Sequence, residues 1–485
     1  MKDRLDTYRS KRDRRRTPEP VPAEGPLPRG EENTFVIQEH HASSLHWDFR
    51  LERGGVLVSW AIPRGLPHDP KRNNLAVQTE DHPLEYASFE GEIPAGEYGG
   101  GKVMTWDRGH YDLEKWSDKE VKVVLHGKRA RGRYVLFRTD GKNWMIHRMD
   151  PPDPGWEPLP ELIRPMLATL GDLPPPDQDD QFGYEMKWDG VRAVVYVSGG
   201  RVRAMTRNDR EVSGTYPELR GLGEALGSLE CVLDGELVAF DERGRISFGA
   251  LQPRMHVVNQ AAVRRLVDKI PVTYLIFDVL HLDGRSTVDL PYTERRRLLE
   301  SLELSGPRWQ TPPYFVGGGK SAQDTSRAQG LEGVLAKRLD SKYLPGRRTR
   351  DWIKVKNTAM QEVVIGGWKP GSGRRAGVIG SLLLGIPGER GLTYVGHVGT
   401  GFTQSMLVDL TARLRKLERR TCPFNPPPPR EHAKDAHWVT PKLVGEVAYG
   451  EITKDGILRH PSWRGLRDDK APEEVTWELP VTPPG

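Results

Sequence analysis

Seven short segments follow one another between Phe35 and residue 149: FVIQEH, HWDFRLE, VLVSWAI, NLAVQTE, KVMTWD, VKVVLHG and RYVLFRTD. Turns separate them and helical periodicity is almost absent, which argues for a small all-β sandwich or barrel over residues 33–149. Residues 1–32 are basic, then proline-rich (TPEPVPAEGPLPRGEE), with nothing to bury, and read as a disordered arm. Residues 1–16 carry eight Lys/Arg against three Asp, which accounts for the whole formal net charge of +5. A basic arm on a neutral body points to a polyanion partner, with a solvated tail as the plain alternative.

A linker is expected at 150–163, around MDPPDPGWEPLPE. Strands then mix with helical segments such as PELRGLGEALGSL and PYTERRRLLESL, so an α+β domain is expected over 164–360. Within it the charge run RRRLLE, residues 295–300, reads as a solvated helix face. A second strand-rich region opens at EVVIGGWKP and closes the chain as a β-barrel over 361–485, with CPFNPPPPREH as a loop. The 52 Gly and 40 Pro suit many short, turn-bounded elements. Two cysteines, Cys231 and Cys422, exclude a disulfide framework and a four-Cys zinc site. No window approaches the roughly 18 apolar residues of a membrane span, and the charged N-terminus lacks the apolar core of a secretory signal. A soluble, cytoplasmic protein without a membrane partner is expected.

The sharpest chemical signal is Glu185-Met-Lys187-Trp-Asp189-Gly-Val-Arg192, after a strand start. A lysine between a strand and a Gly turn is fixed by the sheet yet reachable, and desolvation with neighbouring cations makes it nucleophilic by favouring its uncharged form. Downstream stand Thr206-Arg207-Asn208, Asp234-Gly-Glu236, YLIFDVLHLDG with Phe277 and Asp278, Glu332-Gly-Val-Leu-Ala-Lys337, and Trp352-Ile-Lys354-Val-Lys356. In that order these motifs resemble the covalent nucleotidyltransferases: ATP-dependent DNA ligases and their RNA ligase and capping relatives.

The resemblance implies that Lys187 attacks the α-phosphate of ATP and that Lys354 and Lys356 bind phosphate. Glu236 and Glu332, hard oxygen donors, would take Mg²⁺. Phe277 would stack on adenine, Glu185 would read the purine, Arg192 and Arg207 would hold ribose and phosphate, and Lys337 would complete the nucleotide contacts. Near the C-terminus, RHPSWRGLRDDK resembles the last ligase motif on an OB-fold, with Arg467 and Lys470 closing over ATP. Two glycine-lysine runs, Gly317–Ser321 and Gly99–Lys102, fail the phosphate-loop pattern and read as loops.

In the β domain, His46, Asp48 and Arg50 share one strand face, and His40 would return from the preceding turn. Two imidazoles and a carboxylate suit a divalent transition metal. QEHHASSLHWDFRLE, SWAIPRG and LAVQTEDHPLEYASFEGEIPAGEYGGGKVMTWDRG together resemble the 3′-phosphoesterase domain of bacterial DNA ligase D. By that resemblance His40, His46 and Asp48 would hold Mn²⁺, His82 would act in catalysis, and Arg50, Tyr86 and Arg64 would contact phosphate. Arg64 stands where the family usually has lysine, and Asn74 where an arginine is expected, with Arg72 two residues earlier.

The whole resembles a bacterial DNA ligase D: a small all-β phosphoesterase barrel, an α+β adenylation (nucleotidyltransferase) domain and a C-terminal OB-fold. The resemblance implies an ATP-dependent DNA ligase with 3′-end healing in non-homologous end joining, with broken or nicked duplex DNA as substrate and a Ku homologue as partner. A polymerase/primase activity is expected to be absent or on a separate protein, since the chain ends soon after the OB motif. One alternative keeps the ligase and makes the β domain a non-catalytic end-binding module. Another is an RNA ligase or capping-type transferase.

Overall fold

The structure is a computed structural model and describes residues 3–357, 359–371, 377–389, 391–453 and 455–478. Nine strands build the N-terminal unit: β1 (Thr34–His41), β2 (Leu45–Arg53), β3 (Val56–Ile62), β4 (Asn73–Gln78), β5 (Gly91–Ile93), β6 (Gly101–Trp116), β7 (Glu120–His126), β8 (Arg131–Asp140) and β9 (Asn143–Arg148). Eight of them close a barrel in the order β1-β2-β3-β4-β9-β8-β7-β6, because β6 pairs back to β1 along its first half. The seven segments expected from sequence are all strands; β5 and β9 are additional. Closure leaves no long free edge, and one layer of Phe35, Phe49, Trp60, Trp144 and their neighbours forms the core.

The arm is a difference from expectation. Residues 3–20 lie on the barrel, with a one-turn helix at Asp6–Ser10 and Leu5 and Tyr8 buried. Several of its cations pair with acids of the barrel. Arg4 meets Asp81 (2.8 Å), Lys11 and Arg12 meet Glu80 (2.9 and 3.1 Å), and Arg16 meets Glu97 (2.7 Å). Low hydropathy reads as disorder only when the opposite charges elsewhere in the chain are unseen.

Residues 150–163 hold no regular element but are tied down, since Glu157 N donates to Gly284 O (2.7 Å) and Trp156 faces His68. The next unit contains two sheets. Five strands run Leu167–Leu170, Arg348–Lys356, Gly333–Arg338, Phe182–Lys187 and Phe315–Val316 in spatial order. The other sheet is built on Arg201–Thr206, Val191–Ser198, Cys231–Ala239 and Val272–Leu282. The helix Tyr292–Ser301 packs on Val272–Leu282. The expected solvated face there is corrected: Arg295 and Arg296 are both fully buried. Arg295 takes Asp278 in a fork (2.8 and 3.1 Å), and Arg296 donates to Pro312 O (2.8 Å).

The C-terminal OB-fold unit is a sheet of Ala359–Pro370, Ile379–Gly388, Gly391–Val398, Val444–Tyr449, Ser462–Leu466 and shorter strands. A helix at Gln404–Arg415 was not anticipated, and the expected loop CPFNPPPPREH runs into a short helix at Arg430–Ala433. Among the described residues no helix is long and apolar enough to cross a membrane.

Candidate active sites

Sheet register assembles the first site. Lys187 pairs with Gly333, which pairs with Lys356; two residues earlier, Glu185 pairs with Leu335, which pairs with Lys354. Residues two apart share a face, so Lys187, Lys354 and Lys356 project together from one sheet. On the other sheet Arg192 stands opposite Glu236. The Gly of Lys-x-Asp-Gly is dictated by contact: a Cβ on Gly190 would lie 2.2 Å from Leu237 O.

These residues line a cavity of about 750 Å³ together with Asp189, Arg207, Phe277, Glu332, Arg467 and Lys470. Lys187 Nζ donates to Glu332, which also faces Lys356 at 3.6 Å. Arg192 forks onto Asp234 (2.6 and 2.6 Å), itself fixed by Tyr343 Oη (2.6 Å), and lies 4.6 Å from the centre of the Phe277 ring. Burial raises Glu236 to about 8 in spite of Arg192 and Lys187. Burial and the Glu332 charge raise Asp189 as well. Glu332 moves the other way, because Lys187 and Lys356 outweigh its burial. Burial leaves Glu236 and Asp189 short of positive charge, and with Glu332 they offer the hard oxygen donors a divalent cation takes.

Glu185 and Lys337 stand on the same sheet face as Lys187 and Lys354, further along it and buried. Glu185 accepts from Tyr292 Oη (2.5 Å) and pairs with Lys337 (2.7 Å), and Lys337 is fully buried against the Trp352, Phe277 and Tyr292 rings. Arg467 and Lys470 reach the cavity already engaged: Arg467 forks onto Asp469 (2.9 and 2.8 Å) and Lys470 meets Glu362 (2.5 Å). The segment carrying them docks on the second unit, where Asn208 donates to Asp469 O and Gln252 to Leu466 O (3.2 Å). Tyr343, Tyr292 and Arg296 escaped sequence reasoning as parts of this site, and Asp234 stood in a motif but was given no role. The helix carrying Tyr292 and Arg296 looked solvated, and Asp234 lies within the strand Cys231–Ala239.

The second site lies on the barrel face opposite its apolar core. His40 is not on a turn: it sits within β1, directly across from His46, and Gln38 faces Asp48 in the same register. The two imidazoles are used in opposite senses. His40 Nε2 bonds Gly99 O (2.8 Å) and turns Nδ1 toward Asp48 (3.5 Å), whereas His46 Nδ1 bonds Ser44 O (3.0 Å) and turns Nε2 toward Asp48 (3.7 Å). One nitrogen of each ring and an Asp48 oxygen lie within 4.8 Å of one another. A carbonyl fixing the far nitrogen of each ring is the usual support of a metal-binding histidine, so the trio fits a transition-metal ion.

Arg50 supports this trio. Its nitrogens go to Gln38 Oε1, Ser59 Oγ and Asp48 Oδ2, each at 2.9 Å, so each guanidinium nitrogen has a partner and one of them holds Asp48. His82 is nearly buried, its Nδ1 at 2.9 Å from Glu80 O, between the Tyr8 and Tyr86 rings. Burial and the nearby Arg50 and Arg12 charges hold its pKa well below the usual histidine range, so the ring is neutral at pH 7. The arm completes the enclosure: Arg12 Nη2 lies 3.5 Å from His82 Nε2 while its Nε donates to Glu19 (2.9 Å), and Glu19 accepts from Tyr86 Oη (3.0 Å). Tyr8, Arg12 and Glu19 were missed because the arm read as unstructured. Arg64, Arg72 and Asn74 instead line a cleft of about 380 Å³ between the barrel and the second unit. There Asn74 donates to Gly65 O (2.8 Å).

Three family models match in series: DNA Ligase D 3′-phosphoesterase domain over residues 38–138, ATP dependent DNA ligase domain over 165–356, and ATP dependent DNA ligase C terminal region over 375–470. The chain is 47% identical over 487 residues to the multifunctional non-homologous end joining protein LigD of Mycolicibacterium smegmatis, covering 98% of this chain and 62% of that one. It is 37% identical to the protein of the same name in Pseudomonas aeruginosa, covering 99% of this chain and 62% of the relative. It therefore spans about 62% of the length of these curated relatives. Among solved structures, mycobacterial DNA ligase D complexed with ATP and MES matches 65% of this chain and 98% of its own, at 42% identity and a TM-score of 0.51. With the motifs, both site geometries and the serial matches in agreement, the chain belongs to the bacterial DNA ligase D family.

Proposed function

We propose that this chain seals DNA nicks as an ATP-dependent ligase and heals 3′ ends through its N-terminal barrel, in break repair by non-homologous end joining. The functional units are 33–149, 164–360 and 361–485, joined by 150–163. The observation that carries the reading is the convergence of Lys187, Lys354, Lys356, Glu236 and Glu332 on one cavity.

Lys187 Nζ attacks the α-phosphate of ATP, forming a P–N bond as the bond to pyrophosphate breaks. Glu332, its hydrogen-bond partner, stands where the proton leaves. Lys354 and Lys356 neutralise the charge on the departing phosphates, Phe277 offers a face to adenine, and Arg207, Arg467 and Lys470 complete the cationic wall. The AMP passes to a DNA 5′-phosphate as the P–N bond to Lys187 breaks, and attack by the 3′-hydroxyl on that 5′-phosphate seals the strand and expels AMP. Glu185 and Lys337 act from further along the sheet face, fixing the strands that carry Lys187 and Phe277. Mg²⁺ at Glu236 and Glu332 supplies charge neutralisation on phosphate when bound.

On the barrel, His40, His46 and Asp48 hold Mn²⁺, which when bound polarises a phosphate oxygen. Neutral His82 takes a proton, Tyr86 and Arg12 face the phosphate, and Arg50 holds Asp48, while Arg64 lines a separate cleft. A Ku homologue and a polymerase activity are the partners this activity calls for, in the cytoplasm at the nucleoid.

A single gel tests both halves: protein, ATP, Mg²⁺ and Mn²⁺ with a nick bearing 5′- and 3′-phosphates, beside a 3′-hydroxyl control. Sealing of both, with His82→Ala blocking only the 3′-phosphate nick, is the expected result. Sealing of the control alone leaves the ligase and makes the barrel an end-binding module; sealing of neither removes the reading.

A further inference from the structure

Lys354 and Lys356 are already neutralised by a residue outside every motif. A Glu478 oxygen lies 3.3 Å from Lys354 Nζ and 3.0 Å from Lys356 Nζ. It arrives on residues 471–478, the strap that follows the last ligase motif. The strap is fastened around that carboxylate. Val475 is buried in the C-terminal core, and Gln361, itself fully buried, donates to Thr476 O (2.9 Å) and accepts from Glu478 N (3.1 Å). Thr476, Trp477 and Glu478 line the same cavity as Lys187 and Phe277.

The cations around this point are matched in kind. Lys356 also faces Glu446 at 3.9 Å, Lys470 pairs with Glu362 at 2.5 Å, and Arg467 pairs with Asp469 at 2.8 Å. Oxygens of Glu362, Glu446 and Glu478 lie within 4.8 Å of one another, an acidic cluster offset by the cations around it. A polyphosphate brings its own negative charge to the same lysines. It cannot share them with a carboxylate 3.0 Å from Lys356 Nζ, because like charges in a partly desolvated site repel strongly.

We propose that Glu478 is a built-in competitor for the seat of the nucleotide's outer phosphates, so that triphosphate binding and strap docking exclude each other. The inference rests on the ligase reading of the cavity. Its carboxylate stands in for a phosphate, as its place between two lysines and its backbone clamp require. ATP must displace the strap to enter, and once pyrophosphate has left, Glu478 returns to the lysines and opposes its re-entry.

The test follows transfer of label from α-³²P-ATP to Lys187 in the full chain. Glu478→Gln keeps the shape and removes the charge, and lowers the ATP concentration for half-maximal labelling by about tenfold, within the range of coupling between competing ligands. The pyrophosphate needed to discharge the labelled enzyme falls by a similar factor. In the unaltered chain, a non-hydrolysable ATP analogue speeds amide exchange at Thr476–Glu478, a readout that needs no variant to fold. A Glu478→Gln chain with unmoved or raised half-saturation, or a strap that exchanges no faster with the analogue, overturns the inference. An unaltered chain that takes no label at all removes the ligase reading itself.

Discussion

Arg295→Ala turns the burial of the helix Tyr292–Ser301 into a measurable loss. The wild-type guanidinium gives Asp278 bonds of 2.8 and 3.1 Å, Leu290 O one of 2.6 Å and Ser341 O one of 3.0 Å. Both side chains are completely buried. Alanine leaves a carboxylate in the core with the Val279 amide at 3.0 Å as its remaining bond. Breaking a buried ion pair from one side costs about 3–5 kcal/mol. In a unit of roughly 200 residues each kcal/mol moves the melting midpoint by about 2–4 °C, so a fall of at least about 6 °C is expected. An arginine on a solvated face would change stability by no more than about 0.5 kcal/mol, or ~2 °C. Calorimetry with amide exchange on Val272–Leu282 reads the transition of this unit. Arg295→Met combined with Asp278→Leu, which removes both charges together, recovers most of the loss. A midpoint for Arg295→Ala within about 2 °C of wild type would falsify the reasoning.

Lys187→Ala abolishes labelling by α-³²P-ATP while the circular dichroism spectrum is retained. Arg50→Gln, which loosens Asp48 without removing a metal ligand, weakens Mn²⁺ binding by about 10–100-fold in a calorimetric titration. Arg12→Ala removes the ion pairs to Glu19 and Glu80 and raises amide exchange over residues 3–12; unchanged exchange would show that the arm is held some other way. Burial pushes the Glu478 carboxyl up, but Lys356 and Lys354 bring it to about 2, below the roughly 4.3 of an unfolded glutamate. Its contribution to strap docking is therefore full from about pH 5 to 7 and lost as pH falls toward 2. The stability gap between wild type and Glu478→Gln should stay level from about pH 5 to 7, shrink in acid, and shrink again as Lys354, lowered by burial to about 8, loses its proton; a gap that grows in acid would contradict that sign.

The barrel was legible because its strands are short, regularly spaced and bounded by turns, and the ligase motifs were legible because each carries its own chemistry. What escaped needed tertiary partners. The buried positions of the helix Tyr292–Ser301 are 292, 295, 296 and 299, the spacing of an inward stripe, but two of them are arginines and scored as solvent-facing. Asp278, the partner that makes Arg295 an interior residue, sits on another strand. Arg50 pairs with Asp48 and Glu185 with Lys337, contacts that no motif announces on its own. Motif resemblance marks a position near the chemistry; it does not distinguish touching a ligand from holding the residue that does. Glu478 carried no signal, being one glutamate in an unpatterned tail.

The arm that covers His82 also sets the sign of the surface there. Arg4, Lys11, Arg12 and Arg16 cancel Asp81, Glu80 and Glu97 where the barrel face opens. A chain clipped after residue 16 would lose those cations but keep the acids. The result would be a ring of negative charge at the mouth of a site meant for a polyanion. Proteolysis of the arm would convert an attractive entrance into a repulsive one, a defect that added salt would relieve rather than worsen.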